Sequence, residues 1–260
     1  MNDKIGICGL GAVGNALYNT FIKKNIIVYG YDKYKNIGHI NNFLNTEILF
    51  LCLPTPSENS TKEIYATCTE LSVIQYKGVI VIKSTVPIGT TKDISNKFKN
   101  LTFVHNPEFL SMKTAEHDFE TQKHIVIGGV DNDNDYIVYN FYKRHFPDAE
   151  ISVVSSDESE SMKLFCNSFY SVKIQFFTEL YLLCNTMNID YNKVRDLMLK
   201  NDWINPMHTN VPGTDGQISY GGMCFPKDTN ILLKVMRDNN ITTCKVLESV
   251  IEERNLLRKE

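Results

Sequence analysis

Short apolar blocks alternate with longer segments over roughly the first 150 residues of the chain. The blocks are rich in Ile, Val and Leu and occupy residues 4–8, 26–31, 48–53, 79–83, 101–105, 124–127 and 151–154. Short apolar runs bounded by turn residues are typical of strands that are buried on both faces. The segments between them are long enough for crossover helices, which favours a parallel sheet covered by helices. The pattern predicts an α/β fold with a doubly wound parallel sheet in residues 1–150.

The pattern changes near Ser155, where the strand-like blocks stop. A long helix is predicted from about Glu158 to Met187, with polar residues before it that suit an N-cap. Apolar residues recur along it at intervals of three and four, which describes one apolar face and is explained by a core: Phe165, Phe169, Val172, Phe176 and Leu180. Another helix is predicted over 188–200, followed by an irregular loop. Residues 151–260 are therefore expected to form a second, mainly helical domain.

The first predicted strand runs into a glycine motif and then a helix that extends to about Lys24. The motif reads Gly9-Leu10-Gly11-Ala12-Val13-Gly14. In a dinucleotide site of the Rossmann type, the three glycines allow a tight turn, the approach of the pyrophosphate, and close packing of helix on strand. The second strand ends in Asp32, where a carboxylate can hydrogen-bond ribose hydroxyls, which favours NAD. The nearby Lys33 and Lys35 mean that NADP is not excluded as the cofactor, and Lys35 is itself a candidate cofactor contact. The alternative to a dinucleotide site is a chance cluster of glycines.

Composition and charge narrow the classes of function. The chain has 260 residues, 43% of them hydrophobic, and a formal net charge of −3, which provides no basic surface for nucleic acid. No apolar run reaches bilayer length, and the N-terminus does not resemble a signal peptide, so a cytoplasmic protein with no membrane partner is expected. The seven cysteines are scattered without a Cys-x-x-Cys pair, which predicts reduced thiols and no metal site.

Polar residues and prolines follow three consecutive predicted strands. The three segments are Pro54-Thr55-Pro56, Ser84-Thr85-Val86-Pro87-Ile88-Gly89-Thr90-Thr91 and Asn106-Pro107-Glu108-Phe109-Leu110. In open α/β sheets ligands bind at the carboxyl ends of the strands, so these segments are candidate binding loops. Each one by itself could simply end a strand and cap a helix.

One cysteine stands in an unusual setting. Cys224 follows the pair Gly221-Gly222 and precedes Phe225-Pro226-Lys227-Asp228. Paired glycines let a backbone approach a ligand closely, and the proline predicts that a helix begins just after the cysteine. A helix N-terminus favours a thiolate. The alternative interpretation is a small buried hydrophobic residue.

Taken in order, these motifs resemble those of the UDP-glucose/GDP-mannose dehydrogenase family. The Phe-Pro-Lys-Asp ending is most similar to the members that act on UDP-glucose. The resemblance covers the whole chain and implies an NAD-dependent oxidation of a nucleotide sugar at C6, by two hydride transfers through a thiohemiacetal and a thioester. It also implies a homodimer paired through the long helix.

The resemblance assigns roles to individual residues. The implied catalytic residues are Cys224 as nucleophile, Lys163 and Asn167 on the long helix, Asp228, Thr85 and Glu108. The implied substrate contacts are Glu108, Phe109, Leu110, Lys163, Asn167, Tyr220, Gly221 and Gly222. The implied cofactor contacts, besides the glycine motif and Asp32, are Pro54, Thr55, Ser84 and Thr85. From spacing alone, Lys163 and Asn167 share one helix face and would ordinarily be solvated.

The chain departs from the family pattern at three places. Met112 stands where many members have a second acidic residue, and Ser219-Tyr220 stands where Gly-Phe is commoner. The sequence also stops before the family's second α/β domain, so weak binding of the nucleotide sugar is expected. Two alternatives stay open: a β-hydroxy-acid-type dehydrogenase that transfers a single hydride, and a non-catalytic or regulatory subunit of a nucleotide-sugar dehydrogenase.

Overall fold

The computed structural model describes residues 3–56, 61–130 and 135–258. The chain divides into two compact units, Met1–Lys163 and Leu164–Glu260. The first unit contains the sheet and the beginning of the long helix, and the second contains the remaining helices. The predicted domain limit at residue 150 remains a prediction.

The first unit is built on a seven-stranded sheet. Its strands are β1 Lys4–Cys8, β2 Ile27–Tyr31, β3 Ile48–Leu51, β4 Val79–Ile82, β5 Thr102–His105, β6 His124–Gly129 and β7 Glu150–Ser155. They lie in the order β2-β1-β3-β4-β5-β6-β7, and the chain reverses its direction of progress along the sheet between β1 and β3. The predicted α/β class with a doubly wound sheet is confirmed.

The sheet is not parallel throughout, which corrects the prediction. Strands β1 to β5 are mutually parallel, but β6 pairs with β5 in the antiparallel sense, Val104 opposite Gly129, and β7 runs parallel to β6. A buried strand has the same apolar run in either direction, so the hydrophobic pattern could not reveal the reversal. The five parallel strands therefore direct their carboxyl ends to one edge of the sheet.

Helices cover both faces of the sheet. They are α1 Ala12–Lys23, a 3-10 helix Ile40–Asn45, α2 Lys62–Val73, α3 Thr90–Lys97, α4 Ala115–Glu120 and α5 Asp135–His145. On one face, Leu17 and Phe21 of α1 and Phe141 of α5 belong to a buried apolar cluster that includes Phe50 of β3. On the other face, α2, α3 and the 3-10 helix enclose a second apolar cluster that includes Phe43, Leu71 and Ile94.

The remaining helices are α6 Ser156–Thr186, α7 Tyr191–Leu199, α8 Phe225–Asp238 and α9 Lys245–Leu257. Ser155 and Glu158 form a capping box at the start of α6, since the serine hydroxyl accepts the Glu158 N–H and the Glu158 carboxylate accepts the Ser155 N–H. Within the described ranges, no helix is long and apolar enough to cross a membrane.

The apolar stripe predicted on α6 is mostly not a core. Phe165, Phe169 and Phe176 are 52%, 62% and 53% exposed. Val172 and Leu180 are partly buried and pack against small apolar clusters of the second unit. The buried side of the helix is instead polar along much of its length: Ser156, Ser159, Glu160, Lys163, Asn167, Ser168, Ser171, Gln175 and Thr178. The periodicity correctly identified two faces of α6, but the face that was predicted to be buried is mostly exposed.

Candidate active site

The glycine motif forms the turn between β1 and α1. Gly9 has a φ of +90°, and a Cβ on Gly14 would lie 1.8 Å from the Gly9 carbonyl oxygen, so both positions require glycine. A Cβ on Gly11 would meet no atom within 4 Å, which leaves open space at the N-cap of α1. Ala12 and Val13 form the first turn of this helix, whose N–H groups favour an anion. These residues fit the pyrophosphate of a dinucleotide.

Asp32 lies at the end of β2 and is 9% exposed. Its Oδ2 accepts the Leu10 N–H at 2.9 Å, and its Oδ1 accepts the N–H groups of Tyr34 and Lys35 at 3.0 Å each. The Lys35 ammonium group donates to the Leu10 carbonyl, which joins this loop to the glycine turn. A carboxylate accepts about four hydrogen bonds, so Asp32 retains capacity for a ribose hydroxyl.

The loops after β3 and β4 are joined through Ser84. Its hydroxyl donates to the Leu53 carbonyl at 2.7 Å and accepts the Leu53 N–H at 3.0 Å. Thr85 is half-buried next to it, while Pro54 and Thr55 continue from Leu53. The four predicted cofactor residues of these loops therefore follow the carboxyl ends of the neighbouring parallel strands β3 and β4, of which β3 lies next to β1.

Glu160 of α6 holds the end of the β4 loop. Its carboxylate accepts the Gly89 N–H at 2.6 Å, the Thr91 N–H at 2.8 Å and the Thr91 hydroxyl at 2.6 Å, which caps the N-terminus of α3. Burial raises the pKa of Glu160 to about 7, although these three bonds favour the charged form. This contact was missed by the sequence interpretation, because no local motif links residues so far apart.

A buried ammonium group supports the loop after β5. Lys83 is 2% exposed, and its Nζ donates to Asn106 Oδ1 at 2.9 Å and to the Pro107 carbonyl at 3.2 Å. The Tyr142 hydroxyl also donates to Asn106 Oδ1, and Asn106 Nδ2 donates to the Val126 carbonyl at 2.6 Å. Burial lowers the pKa of Lys83 to about 8. The network fixes the backbone immediately before Glu108.

Glu108 and Lys163 are brought together by the fold. Lys163, in the second turn of α6, donates from Nζ to the Glu108 carbonyl and lies 3.4 Å from its carboxylate Oε1. The Nζ atom also lies 5.0 Å from the centre of the Phe109 ring. Lys163 is 4% exposed, so the expectation of a solvated lysine drawn from spacing alone is wrong. Leu110 follows with its N–H donating to Glu108 Oε2 at 2.6 Å.

Asn167 and Asp228 form a buried pair in the second unit. Asn167 Nδ2 donates to Asp228 Oδ2 at 2.6 Å, and the Lys227 ammonium group donates to Asp228 Oδ1. Their exposures are 6% and 0%, so Asn167 is not a solvated surface residue either. Asp228 is in the first turn of α8, where the helix dipole favours negative charge.

Cys224 is the N-cap residue of α8, and its side chain is exposed. The helix begins at Phe225 with Pro226 in its first turn, as the sequence predicted. Tyr220, a predicted substrate contact, is 2% exposed, and its carbonyl accepts a hydrogen bond from Arg254 Nε, so the structure does not present Tyr220 to a ligand. Met112, one of the departures noted in the sequence, is 63% exposed.

His208 was given no role by the sequence interpretation. Its backbone is left-handed, with a φ of +66°, and its ring centre lies 4.9 Å from that of Tyr170 and 5.4 Å from that of Phe225. Burial and the nearby Lys173 lower the pKa of His208. The ring packs beside Phe225, the residue that follows Cys224, and the spacing of these residues in the sequence could not have indicated this contact.

Comparisons with known proteins agree with this geometry. The sequence profile of the NAD binding domain of the UDP-glucose/GDP-mannose dehydrogenase family matches residues 39–146, and that of the family's central domain matches residues 157–255. The UDP-glucose 6-dehydrogenase of Campylobacter jejuni is 28% identical over 99% of this chain and 73% of its own length. The UDP-glucose 6-dehydrogenase of Rickettsia bellii is 30% identical over 96% of this chain and 59% of its own.

Among solved structures, a UDP-glucose dehydrogenase from Pyrobaculum islandicum has the same fold. Its TM-score is 0.84 at 22% identity, over 97% of this chain and 68% of that one. The chain thus spans between about half and three quarters of the length of its curated relatives. Because the NAD-binding and central domains of one family match in succession, the chain belongs to the UDP-glucose/GDP-mannose dehydrogenase family, whose cofactor is NAD.

Proposed function

We propose that this chain provides the NAD-binding and nucleophile-bearing parts of an enzyme that oxidises UDP-glucose to UDP-glucuronate at C6. The observation that supports this most is the set of side chains around Cys224. Cys224, whose side chain is exposed, occupies the N-cap position of α8, one turn before a buried carboxylate, Asp228, that accepts a hydrogen bond from Asn167. The substrate is inferred from relatives that are named UDP-glucose 6-dehydrogenases.

The proposed reaction has two oxidation steps and one hydrolysis. NAD, held by the glycine turn and Asp32, would supply the hydride acceptor for both oxidations, so one acid would require two NAD molecules. The C6 alcohol loses a hydride and a proton to become an aldehyde, and the Cys224 sulfur adds to the aldehyde carbon. The resulting thiohemiacetal loses a second hydride and a proton to become a thioester. Water then attacks the thioester carbon, and the carboxylate leaves as the thiol is restored.

The other residues stabilise charge and orient groups. The Nζ of Lys163, which contacts Glu108, and the side-chain amide of Asn167 lie on the same helix and are suited to stabilising an oxygen that becomes negative at the reacting carbon. Asp228, fixed by Asn167 and Lys227, is suited to orienting the hydrolytic water, as is Thr85, and Glu108 assists hydrolysis. Gly9, Gly11, Gly14, Asp32 and Ser84 hold the cofactor. Phe109, Leu110 and the backbone at Gly222 contact the sugar nucleotide.

The test replaces the nucleophile. Cys224→Ala should abolish acid formation, while the folded state and NAD affinity stay within error of the native chain, because the side chain is exposed. Cys224→Ser should be similarly slow or accumulate an ester, since a hydroxyl is the weaker nucleophile. NADH and acid are measured together on a panel of nucleotide sugars. One NADH per product in the native chain would instead indicate a single-hydride dehydrogenase, and an alanine variant that still yields two would exclude the thioester.

A further inference from the structure

The loop before Cys224 is held on one side by α6. This loop, residues 213–223, is called the cysteine loop below. The Ser219 N–H donates to Thr178 Oγ1 at 3.1 Å, and the Ser219 hydroxyl donates to Gln175 Oε1 at 2.5 Å. Ser219 has a φ of +61°, a left-handed conformation that favours glycine. The two buried hydrogen bonds keep a serine in this conformation, at the position where glycine is commoner in the family.

On its other side the cysteine loop is held by α9. Arg258, at the C-cap of that helix, is 5% exposed. Its Nη1 donates to the Ser219 carbonyl at 3.1 Å, and its Nη2 donates to Asp215 Oδ2 at 2.6 Å. One turn earlier, Arg254 Nε donates to the Tyr220 carbonyl at 3.3 Å. One buried guanidinium group therefore joins the beginning of the loop to its middle.

The same guanidinium group lies against Gly221. A Cβ on Gly221 would be 2.2 Å from Arg258 Cζ and 2.3 Å from its Nη2, which is closer than any real contact. Gly222 is different, because a Cβ there would meet no atom within 4 Å, and its φ of +76° is what requires glycine. The two glycines thus serve different purposes. Gly221 makes room for the protein's own arginine, and only Gly222 faces open space.

We propose that Arg258 is a positioning residue for Cys224. Its planar guanidinium group, anchored by Asp215, packs on Gly221 and fixes the backbone from which Cys224 is presented three residues later. A lysine could neutralise Asp215 but could not provide the flat surface and the two directed N–H groups that this contact uses. The inference rests on the proposed role of Cys224 as nucleophile, and it adds a residue on α9 that acts only through the loop.

The test is a double-mutant cycle between Gly221→Ala and Arg258→Ala. The readouts are the rate at which iodoacetamide alkylates Cys224, measured by peptide mass spectrometry, and the kcat and KM of NADH formation. Gly221→Ala should change the alkylation rate about threefold or more in the native background and clearly less in the Arg258→Ala background, because the steric conflict is gone. Arg258→Lys should lower kcat about tenfold or more with a smaller change in KM.

Two further variants complete the design. Asp215→Asn removes the negative charge that anchors the guanidinium group. The Asp215 side chain is 45% exposed, so this variant should fold and should reproduce part of the Arg258→Lys effect, even if Arg258→Ala does not fold. Arg237→Ala is the matched control, since that arginine pairs with Glu248 and should leave alkylation of Cys224 at the native rate.

The outcomes separate this inference from the proposed function. Alkylation needs no substrate, so the cycle remains decisive even if the chain forms no acid. Arg258 is not a positioning residue if Gly221→Ala has the same effect in both backgrounds. The same conclusion follows if Cys224 in Arg258→Lys and Asp215→Asn is alkylated at the native rate and both variants keep the native kcat. In either case, two NADH per acid would still support the thioester mechanism.

Discussion

The two units of this protein bury different kinds of side chains. In the sheet unit most buried residues of the strands are apolar, and the candidate site is formed by loops at the carboxyl ends of the strands. In the helical unit, α6 buries Asn167, Ser171, Gln175 and Thr178 and exposes Phe165, Phe169 and Phe176. In the second unit, candidate site residues such as Asn167 are therefore part of the buried interior.

The difference has a physical consequence for substitutions. A loop side chain such as Thr85 can change without disturbing the apolar core beneath it. Asn167 cannot, because Asp228 is fully buried and would lose a hydrogen-bond donor. Stability and activity should therefore separate at half-buried or exposed positions such as Thr85 and Cys224, and change together at the buried Asn167.

The largest effect is expected for Asn167→Asp. The new carboxylate would face Asp228 in the interior, and an uncompensated buried charge costs roughly 3–5 kcal/mol. The free energy of unfolding from denaturant titration should fall by about that amount, with activity lost as well. Thr85→Ala is the matched variant in the sheet unit and should reduce activity at nearly native stability. Equal stabilities for the two variants would remove the contrast between the units.

The exposed aromatic face should be covered by a second copy of the chain. Burying a phenylalanine side chain contributes about 1.5–3 kcal/mol, and three exposed on one helix make an apolar patch that is unusual for a monomer. Phe169→Glu should shift the mass measured by light scattering from dimer to monomer. Val73→Glu, at an exposed valine of α2, should leave the mass unchanged. A native chain that is monomeric at high concentration would contradict this prediction.

The buried His105 should make the sheet unit sensitive to acid. Its Nδ1 lies 2.8 Å from the Ser159 hydroxyl, and burial, with nearby Lys83, lowers its pKa to about 3. Below pH 6.5 the unfolded chain binds a proton that the folded chain does not. The free energy of unfolding should therefore fall by about 1.4 kcal/mol for each pH unit between 6.5 and 3.

The variant His105→Asn should lack this contribution. Between pH 6.5 and 5 its stability should decrease less steeply than that of the native chain, as measured by denaturant titration. His124→Asn, at an exposed histidine that contacts Ser152, is the control and should keep the native slope. Parallel slopes for native and His105→Asn would show that His105 becomes protonated without cost.

The smallest effect is expected at Asp32. Its carboxylate already accepts three backbone N–H groups, so its discrimination against the 2′-phosphate of NADP rests on charge and on the remaining lone pair. Asp32→Asn should narrow the preference for NAD severalfold, by no more than about 1.4 kcal/mol. Asp32→Ala should narrow it too, with some loss of affinity for both cofactors. Titrations in which the native chain binds NADP as tightly as NAD would overturn the assignment.

The sequence alone was sufficient for the features that depend on local patterns. The glycine turn, the apolar strands, the start of α8 at Phe225 and the NAD-binding fold follow from short-range sterics and periodicity. The position of Asp32 at the end of β2 follows in the same way, because a strand, a turn and a helix are consecutive in the chain.

Tertiary structure decided everything that depends on which distant residues meet. The direction of β6, the burial of Lys163, the caps provided by Glu160 and the packing of Arg258 on Gly221 all join positions that are far apart in the chain. Periodicity shows that α6 has two faces, but both contain groups that can be buried, one through apolar contact and the other through paired hydrogen bonds. Which face is buried depends on the tertiary structure. Asp228, Ser219 and Thr229 supply hydrogen-bond partners for the polar face of α6, so that face lies inside.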